Sequence, residues 1–393
     1  MRKLNKNNKL TKIALTLVAT FASSQIIAQE AGFFAVVDSR LSYEDNILRE
    51  ADANADSDTS LVVAPELTIA GILGKQRFSA KYKGEYAKYS DFSDVNYTDH
   101  DIHLRADFDH SNRLTSRFDV QYQDKHEDFG DLNTIFVNLN EFNHFTDKGL
   151  SGRLIYGRQD SFGQLVFQLA RNKRDYDNNN QEFRSYERDL ASLAFYYRIA
   201  PRTRLLAELV YQDYSYNPEA GFLDLDNKYK VYQAGVEWAF TNQLEGTIKV
   251  GYQDRNYSLE TLRDINGLAY EASSIDYTPN TYTTINLAAR RESIDSSLET
   301  AGGFLRTSYG AGVKHSLTEL TKVEAELTYA KDELVFSSNR QDKRIGGKLG
   351  ITYSLFTWVE LGANFSFEER NSTSDAADYK ANSMNLTAKL SFN

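Results

Sequence analysis

One acidic segment of the chain contains oxygen ligands at the spacing that a calcium ion would require. The segment DANADSD at 52–58 carries carboxylate or amide side chains at alternate positions: Asp52, Asn54, Asp56 and Asp58. A calcium loop of this type also needs a glycine at its turn and a bidentate glutamate at its end. Ser57 and Val63 occupy those two positions here. We therefore interpret the segment as a solvated acidic loop, and the sequence predicts no metal and no cofactor.

The histidines and hydroxyl residues form no recognisable catalytic or zinc-binding motif. His100 and His103 are three residues apart, which places them on opposite faces of a strand. No other histidine pair has metal-ligand spacing, and the absence of cysteine excludes thiolate sites and disulfides. Since no nucleophile motif is present, we predict that the protein is not an enzyme. An enzyme whose catalytic residues meet only in the fold stays an alternative, because such sites are defined by geometry.

The remaining candidates are charged side chains that occur at every second position. Between residues 78 and 86, for example, two lysines and a glutamate alternate with tyrosine, alanine and glycine. The same arrangement recurs along the chain and gives fifteen candidates for a polar lining: Lys81, Lys83, Glu85, Asp101, Arg105, Arg117, Asp119, Arg153, Glu237, Glu245, Lys249, Arg290, Glu324, Lys348 and Glu360. Opposite charges on neighbouring strands attract, so these residues could serve only to stiffen a polar interior. Alternatively they line a path for a hydrophilic solute, and their mixed signs argue against a strongly ion-selective pore.

Alternation of this kind indicates β-strands, because successive side chains of a strand point to opposite faces. The pattern continues with no change of composition that would mark a second domain. Eight short connections, such as 110–113, alternate with nine longer and more acidic ones, such as 125–145 and 292–302. Seventeen connections predict eighteen strands, with both chain ends on the side of the short turns. The segment 267–277 alternates poorly, so sixteen strands is the alternative.

The first 28 residues differ from the rest of the chain. Five cations precede an apolar run over 13–22, and smaller residues follow, which is the layout of a cleaved signal peptide. We predict cleavage after Ala28 and a single domain over 29–393. Loss of the five cations would change the formal net charge from −10 to −15, so the exported chain is acidic. A nucleic acid partner is not expected, since the chain shows no basic patch for phosphates.

The apolar face of these strands needs a nonpolar environment, and lipid fits it best. A soluble barrel of eighteen strands would enclose a space too large for its apolar side chains to fill. A transmembrane barrel directs apolar residues to lipid and polar residues to the lumen, and its closure pairs every backbone group. We therefore predict an all-β protein, a transmembrane antiparallel β-barrel in the Gram-negative outer membrane. Its expected partners are outer-membrane lipid and the machinery that assembles such barrels.

Seven tyrosines lie near the predicted extracellular ends of strands: Tyr89, Tyr97, Tyr176, Tyr186, Tyr214, Tyr216 and Tyr257. Tyrosine is enriched at membrane interfaces, where its ring lies at headgroup level and its hydroxyl meets water. We therefore predict that these residues form an interfacial girdle. Stacking of the rings on sugars is the alternative.

Several stretches of the sequence resemble an outer-membrane β-barrel porin family whose members accompany exopolysaccharide and capsule biosynthesis and export systems. The stretches that carry the resemblance are RLSYEDNILRE (40–50), VVAPELTIAG (62–71), NYTDHDIHLRADF (96–108), AARRESIDSS (288–297) and DYKANSMNL (378–386). The resemblance implies a role in exopolysaccharide or capsular polysaccharide export or assembly, with polysaccharide or its export components as partners. A general porin or solute channel is the first alternative, and an outer-membrane enzyme is the second.

The last strand, SMNLTAKLSFN (383–393), generates a prediction about membrane insertion. We assign the insertion signal to the apolar residues Leu386, Ala388, Leu390 and Phe392, which alternate with polar ones. Deletion of residues 390–393 should abolish outer-membrane insertion, because the closing strand would lose part of its lipid face and its pairing. Membrane fractionation measures this directly. Normal insertion of the truncated chain would contradict the assignment.

Overall fold

The computed structural model describes most of the chain after its first 30 residues. The described residues are 31–133, 141–217, 222–239, 243–298, 301–335, 340–374 and 377–392. The predicted signal peptide, residues 1–28, lies outside them.

Eighteen antiparallel strands form the fold, and alternating side chains on each strand provide one apolar and one polar face. The strands are β1 (Gly32–Glu44), β2 (Asp58–Leu73), β3 (Gln76–Tyr89), β4 (Tyr97–Ser111), β5 (Leu114–Glu127), β6 (Asn143–Tyr156), β7 (Gly163–Tyr176), β8 (Tyr186–Ala200), β9 (Thr203–Tyr216), β10 (Asn227–Ala239), β11 (Leu244–Tyr257), β12 (Ile265–Asn280), β13 (Thr283–Leu298), β14 (Ala301–Ser316), β15 (Thr321–Leu334), β16 (Gln341–Phe356), β17 (Val359–Ser372) and β18 (Tyr379–Phe392). Within the described connections, 3-10 helices span Asp52–Asn54, Ser93–Val95 and Glu182–Arg184. Among the described residues no helix is long and apolar enough to cross a bilayer.

Pairing between the first and last strands closes the sheet into a barrel. Each strand pairs with the next along the chain, and β1 pairs with both β2 and β18. In the closing pair Leu41 lies opposite Leu386, and Val37 lies opposite Leu390. The predicted all-β antiparallel barrel with eighteen strands is confirmed, and the alternative with sixteen strands is wrong. In barrels of this class short turns face the periplasm and longer loops face the exterior, which we use here to name the two ends.

Strand β12 shows why its segment alternates poorly in the sequence. Its pairing with β13 shifts register between Ala272 and Ile275. A bulge places an extra residue in one strand, so residues beyond it change faces. Glu271 accordingly points inward, where its Oε2 lies 2.8 Å from Lys249 Nζ, whereas Tyr277 is exposed on the outer face.

The predicted loop over 292–302 is wrong, because most of that stretch is strand. β13 continues to Leu298 and β14 begins at Ala301, and Glu292 lies opposite Arg306 in their pairing. Ser293 also donates its backbone N–H to Gln253 Oε1 of β11, at 2.6 Å. This end of the hairpin therefore packs against polar groups, so its sequence lacks the alternation of a strand with one lipid face.

The outer face carries the large apolar side chains. Leu327, Leu349 and Leu386 are each about 60% exposed, although they are among the most apolar residues of the chain. On β18 the predicted insertion residues share this face, since Leu386 and Phe392 are exposed and Ala388 and Leu390 alternate with them. Such an outer surface is stable only against lipid. The role of these four residues in insertion stays a prediction.

Candidate functional site

The fifteen predicted lining residues lie on the inner face of the barrel. Nine of them line two cavities in the lumen, and the other six form ion pairs with inward-facing residues. Arg105 Nε, for example, lies 2.7 Å from Asp119 Oδ1 on the next strand. Lys348 Nζ lies 2.5 Å from Glu324 Oε1 in the same way. Cross-strand pairs of this kind stiffen the wall, and the cavities show that they leave space in the lumen.

His100 and His103 lie on opposite faces of β4, as their spacing predicts. His100 lies on the outer face, where Tyr82 Oη is 3.0 Å from its Nδ1. His103 lies on the inner face, where its Nε2 is 2.9 Å from Asp119 Oδ1. In the part of the chain that the structure describes, no group of three or more histidine and acidic side chains is placed to hold a metal ion.

The acidic segment at 52–58 contributes to loop structure. The carboxylate of Asp58 accepts the backbone N–H of Thr59 at 2.6 Å and that of Asp91 at 3.2 Å. It thereby links the β1–β2 connection to the start of the β3–β4 connection. A carboxylate engaged with backbone donors stabilises the loop ends without needing a cation.

The predicted girdle of seven tyrosines is wrong, because these residues face the lumen. Tyr89 shares the alternation of Lys83 and Glu85, and Tyr97 shares that of Asp101, so both rings point inward. Tyr89, Tyr97, Tyr176, Tyr214 and Tyr216 are less than 10% exposed, and Tyr186 and Tyr257 pack against the same clusters. The outer face has its own exposed aromatics at both ends: Tyr43, Tyr86, Tyr232 and Tyr252 towards the exterior, and Tyr156, Tyr197, Tyr353 and Trp358 towards the periplasm. Those residues occupy the interfacial positions.

Buried ion pairs surround the inward tyrosines at the extracellular end. Glu127 accepts hydrogen bonds from Arg184 Nη2 and Tyr176 Oη, both at 2.6 Å, and from Asn143 Nδ2 at 3.0 Å. The Arg184 guanidinium also lies over the Tyr176 ring, 4.4 Å from its centre. Burial lowers the pKa of Arg184, but the adjacent Tyr176 and Glu127 outweigh burial, so its pKa is raised overall. The arginine is therefore held as a cation in a site closed to water.

A second buried cluster joins strands β9, β10, β11 and β13. Arg255 donates to Asp295 Oδ1 at 3.0 Å, to Asn227 Oδ1 at 2.6 Å and to Ser293 Oγ at 2.8 Å. The Tyr216 hydroxyl donates to the other oxygen of Asp295. Since β13 does not pair with β9, β10 or β11, this cluster holds the end of β13 against strands that lie two to four positions away in the wall.

A third cluster fixes a loop that enters the lumen. Residues 128–133 follow β5 in the chain. The carbonyl of Gly130 accepts a hydrogen bond from Arg370 Nη1 of β17 at 3.1 Å. A Cβ at Gly130 would lie 3.1 Å from Tyr379 Oη, so the loop backbone approaches this wall closely. Asn133 Oδ1 accepts the Ser296 hydroxyl of β13 at 3.1 Å. The loop therefore narrows the extracellular end of the lumen.

The inward loop carries a carboxyl group with a strongly shifted pKa. Burial raises the pKa of Asp131 to about 7, and the neighbouring carboxylates of Asp128 and Glu127 act in the same direction. Arg344 of β16 and Arg174 of β7 oppose this rise. Asp131 consequently titrates near neutral pH, inside the narrowed region.

Sequence reasoning missed the arginines of these clusters. Arg184, Arg255 and Arg370 are absent from the fifteen candidates. Arg174 and Arg255 fall in the predicted longer connections 171–183 and 255–267, although both belong to strands. One signal was available, because Arg174 and Tyr176 have the same alternation, as do Arg255 and Tyr257. Paired arginine and tyrosine at every second position continue the strand pattern into the apparent loop.

Below the narrowed region lie two cavities with different charge. The acidic cavity, of about 890 Å³, is lined by eight lysines and arginines and ten carboxylates, among them Glu292, Glu324 and Glu360. The basic cavity, of about 1200 Å³, lies towards the periplasm and is lined by eight cations and five carboxylates. These spaces can hold water and small polar solutes.

The buried pair Glu127–Arg184 gives a test of this site. Glu127→Ala should destabilise the barrel by about 3–5 kcal/mol, because it leaves the Arg184 cation buried without its partner. Asp189→Ala is the control: it removes the partner of Arg171 in an exposed pair, and it should cost at most about 1 kcal/mol. Urea unfolding of the protein in lipid vesicles measures both changes. Equal losses in the two variants would contradict the buried role of Glu127.

A family model and several solved structures are similar to this chain. Residues 31–392 match the family model described as "Putative beta-barrel porin 2". Among solved structures, the outer membrane protein OpdK of Pseudomonas aeruginosa is similar with a TM-score of 0.50 and 9% identity, covering 92% of this chain and 99% of that one. OccAB3 of Acinetobacter baumannii is similar with a TM-score of 0.47 and 12% identity, covering 92% and 99%. The siderophore receptor PirA of Acinetobacter baumannii has a TM-score of 0.45 and 8% identity, covering 92% and 81%.

At such low identities the likeness to OpdK shows the fold alone. No curated protein sequence matches the chain. The closed barrel, its apolar outer face and the family match together place the protein in the Gram-negative outer membrane. Since the family model spans nearly all of the described strands, the chain belongs to the family described as "Putative beta-barrel porin 2".

Proposed function

We propose that the protein is a non-enzymatic outer-membrane channel for small hydrophilic solutes. The observation that carries this proposal is the charged lumen, whose two cavities have volumes of about 890 and 1200 Å³. A barrel built only for mechanical stability would not need unfilled polar space inside, since its wall is already stabilised by strand pairing. The porin family to which the chain belongs supports the same conclusion. Outer-membrane lipid surrounds the apolar face, and barrel assembly machinery acts on β18.

The role in exopolysaccharide or capsule export rests on the sequence resemblance alone. The matched family description names a porin and mentions no polysaccharide. We therefore place the solute channel first and keep the polysaccharide role as the second proposal. Its test is the amount of surface polysaccharide in a strain that lacks the protein, and an unchanged amount would exclude it.

Conductance of the purified protein in planar lipid bilayers tests the channel directly. We expect stepwise increases in current when the barrel inserts, because water in the lumen carries ions past the charged wall. Correct folding before insertion is checked by the shift in gel mobility on heating. A folded barrel that inserts but gives no steps would overturn the channel proposal.

The same recordings test the inward loop through pH. Asp131 has a raised pKa, so its contribution to packing is present at low pH and is lost as pH rises through about 7. The loop should therefore be held less firmly at pH 8 than at pH 6, and conductance should rise between these values. Asp131→Asn stays neutral at both, so its conductance should not depend on pH in this range. An unchanged pH response in Asp131→Asn would contradict the role of this residue.

A further inference from the structure

The basic cavity contains two pairs of arginines placed directly opposite each other on neighbouring strands. Arg117 of β5 lies opposite Arg153 of β6, and Arg198 of β8 lies opposite Arg204 of β9. All four line this one cavity of about 1200 Å³. Like charges directly opposite on a sheet destabilise it, so such pairs need compensating negative charge.

Among the described residues, only one member of each pair has a carboxylate within ion-pair distance. Arg117 Nε lies 2.6 Å from Asp107 Oδ1, and Arg204 Nη2 lies 2.6 Å from Glu237 Oε1. Within the described residues, no carboxylate lies within ion-pair distance of Arg153. Among the same residues, no carboxylate lies within ion-pair distance of Arg198. The Arg198 guanidinium instead lies over the Phe162 ring, 4.9 Å from its centre. Among the described residues, one guanidinium of each pair therefore makes no ion pair with the wall, although the Asp160 carboxylate lies near enough to Arg198 to feel its charge.

Arg153 also has an unused donor. Its Nε is buried and has no hydrogen-bond partner in the described part of the chain. A buried donor without a partner costs free energy, and a charged one costs more. The cavity therefore contains guanidinium groups with the charge and the free donor needed to bind an anion.

We infer that the basic cavity is a binding site for a small oxyanion, that is, a solute carrying carboxylate or phosphate groups. The planar fork of N–H donors in a guanidinium group matches two oxygens of a carboxylate or of a phosphate and binds them through paired hydrogen bonds. The inference deepens the proposed channel function, because it names the class of solute that pauses in the lumen. The acidic cavity has more carboxylates than cations, so anion binding belongs to the periplasmic cavity alone.

Calorimetric titration of the folded full-length protein in detergent micelles tests the site without requiring an open channel. Citrate and inorganic phosphate are the two probes, and they distinguish a carboxylate site from a phosphate site. We expect the wild type to bind at least one probe, and Arg153→Gln and Arg198→Gln to bind it about tenfold more weakly, because each removes a charged donor. Arg171→Gln is the matched control, since it removes an exposed arginine whose partner is Asp189.

Each outcome of the titration decides the inference. Binding that weakens in Arg153→Gln and Arg198→Gln but not in Arg171→Gln supports the site. No binding of either probe to the wild type overturns it, and equal binding by all variants overturns its location. Bilayer recordings separate this from the channel function: a silent barrel that still binds the probe keeps the site and loses the channel. A conducting barrel that binds neither probe keeps the channel and loses the site.

Discussion

Backbone pairing in lipid is the constraint on which the rest of the structure depends. An N–H or C=O group exposed to hydrocarbon costs several kcal/mol, so every strand in the membrane needs a partner on both edges. β1 therefore pairs with β18 as well as β2, and the sheet has no free edge. Closure in turn separates two environments, and the side-chain alternation of each strand follows from them. The outer face is apolar because it meets lipid, and the inner face is free to carry charge.

Because the inner face can carry charged side chains, the lumen is divided into two regions that differ in packing. At the extracellular end, arginines, carboxylates and tyrosines pack closely, and long-range contacts such as Arg370 to Gly130 hold the inward loop. Towards the periplasm the wall keeps open space and an excess of cations. One end is thus organised as a packed polar layer and the other as a solvated chamber. A solute entering from outside would meet the packed layer first.

The strand pattern in the sequence was enough to predict the barrel and its strand number, because alternation reports directly on lipid and lumen. It was not enough where that relation breaks down. The bulge in β12 reverses the faces within one strand, and the end of β13 meets polar groups on both sides. The girdle prediction fails for the tyrosines at strand ends because alternation, which places Tyr89 with Glu85, decides the face of a side chain, whereas residue type does not. Contacts such as Asn133 to Ser296 join residues 163 apart in the chain, and no local pattern reports them.

The pairing of β1 with β18 also governs how the chain must reach its membrane. Ser42 and Asn385 meet across this seam although they are 343 residues apart, which is contact order near the maximum for the chain. No stable barrel can therefore exist until the last strand has crossed the inner membrane. During its passage through the periplasm the polypeptide exposes strand edges that favour aggregation. A mean hydropathy of −0.54 and charged residues on every strand keep the unfolded chain soluble in the periplasm. The residues that line the lumen therefore also oppose aggregation before the barrel has formed.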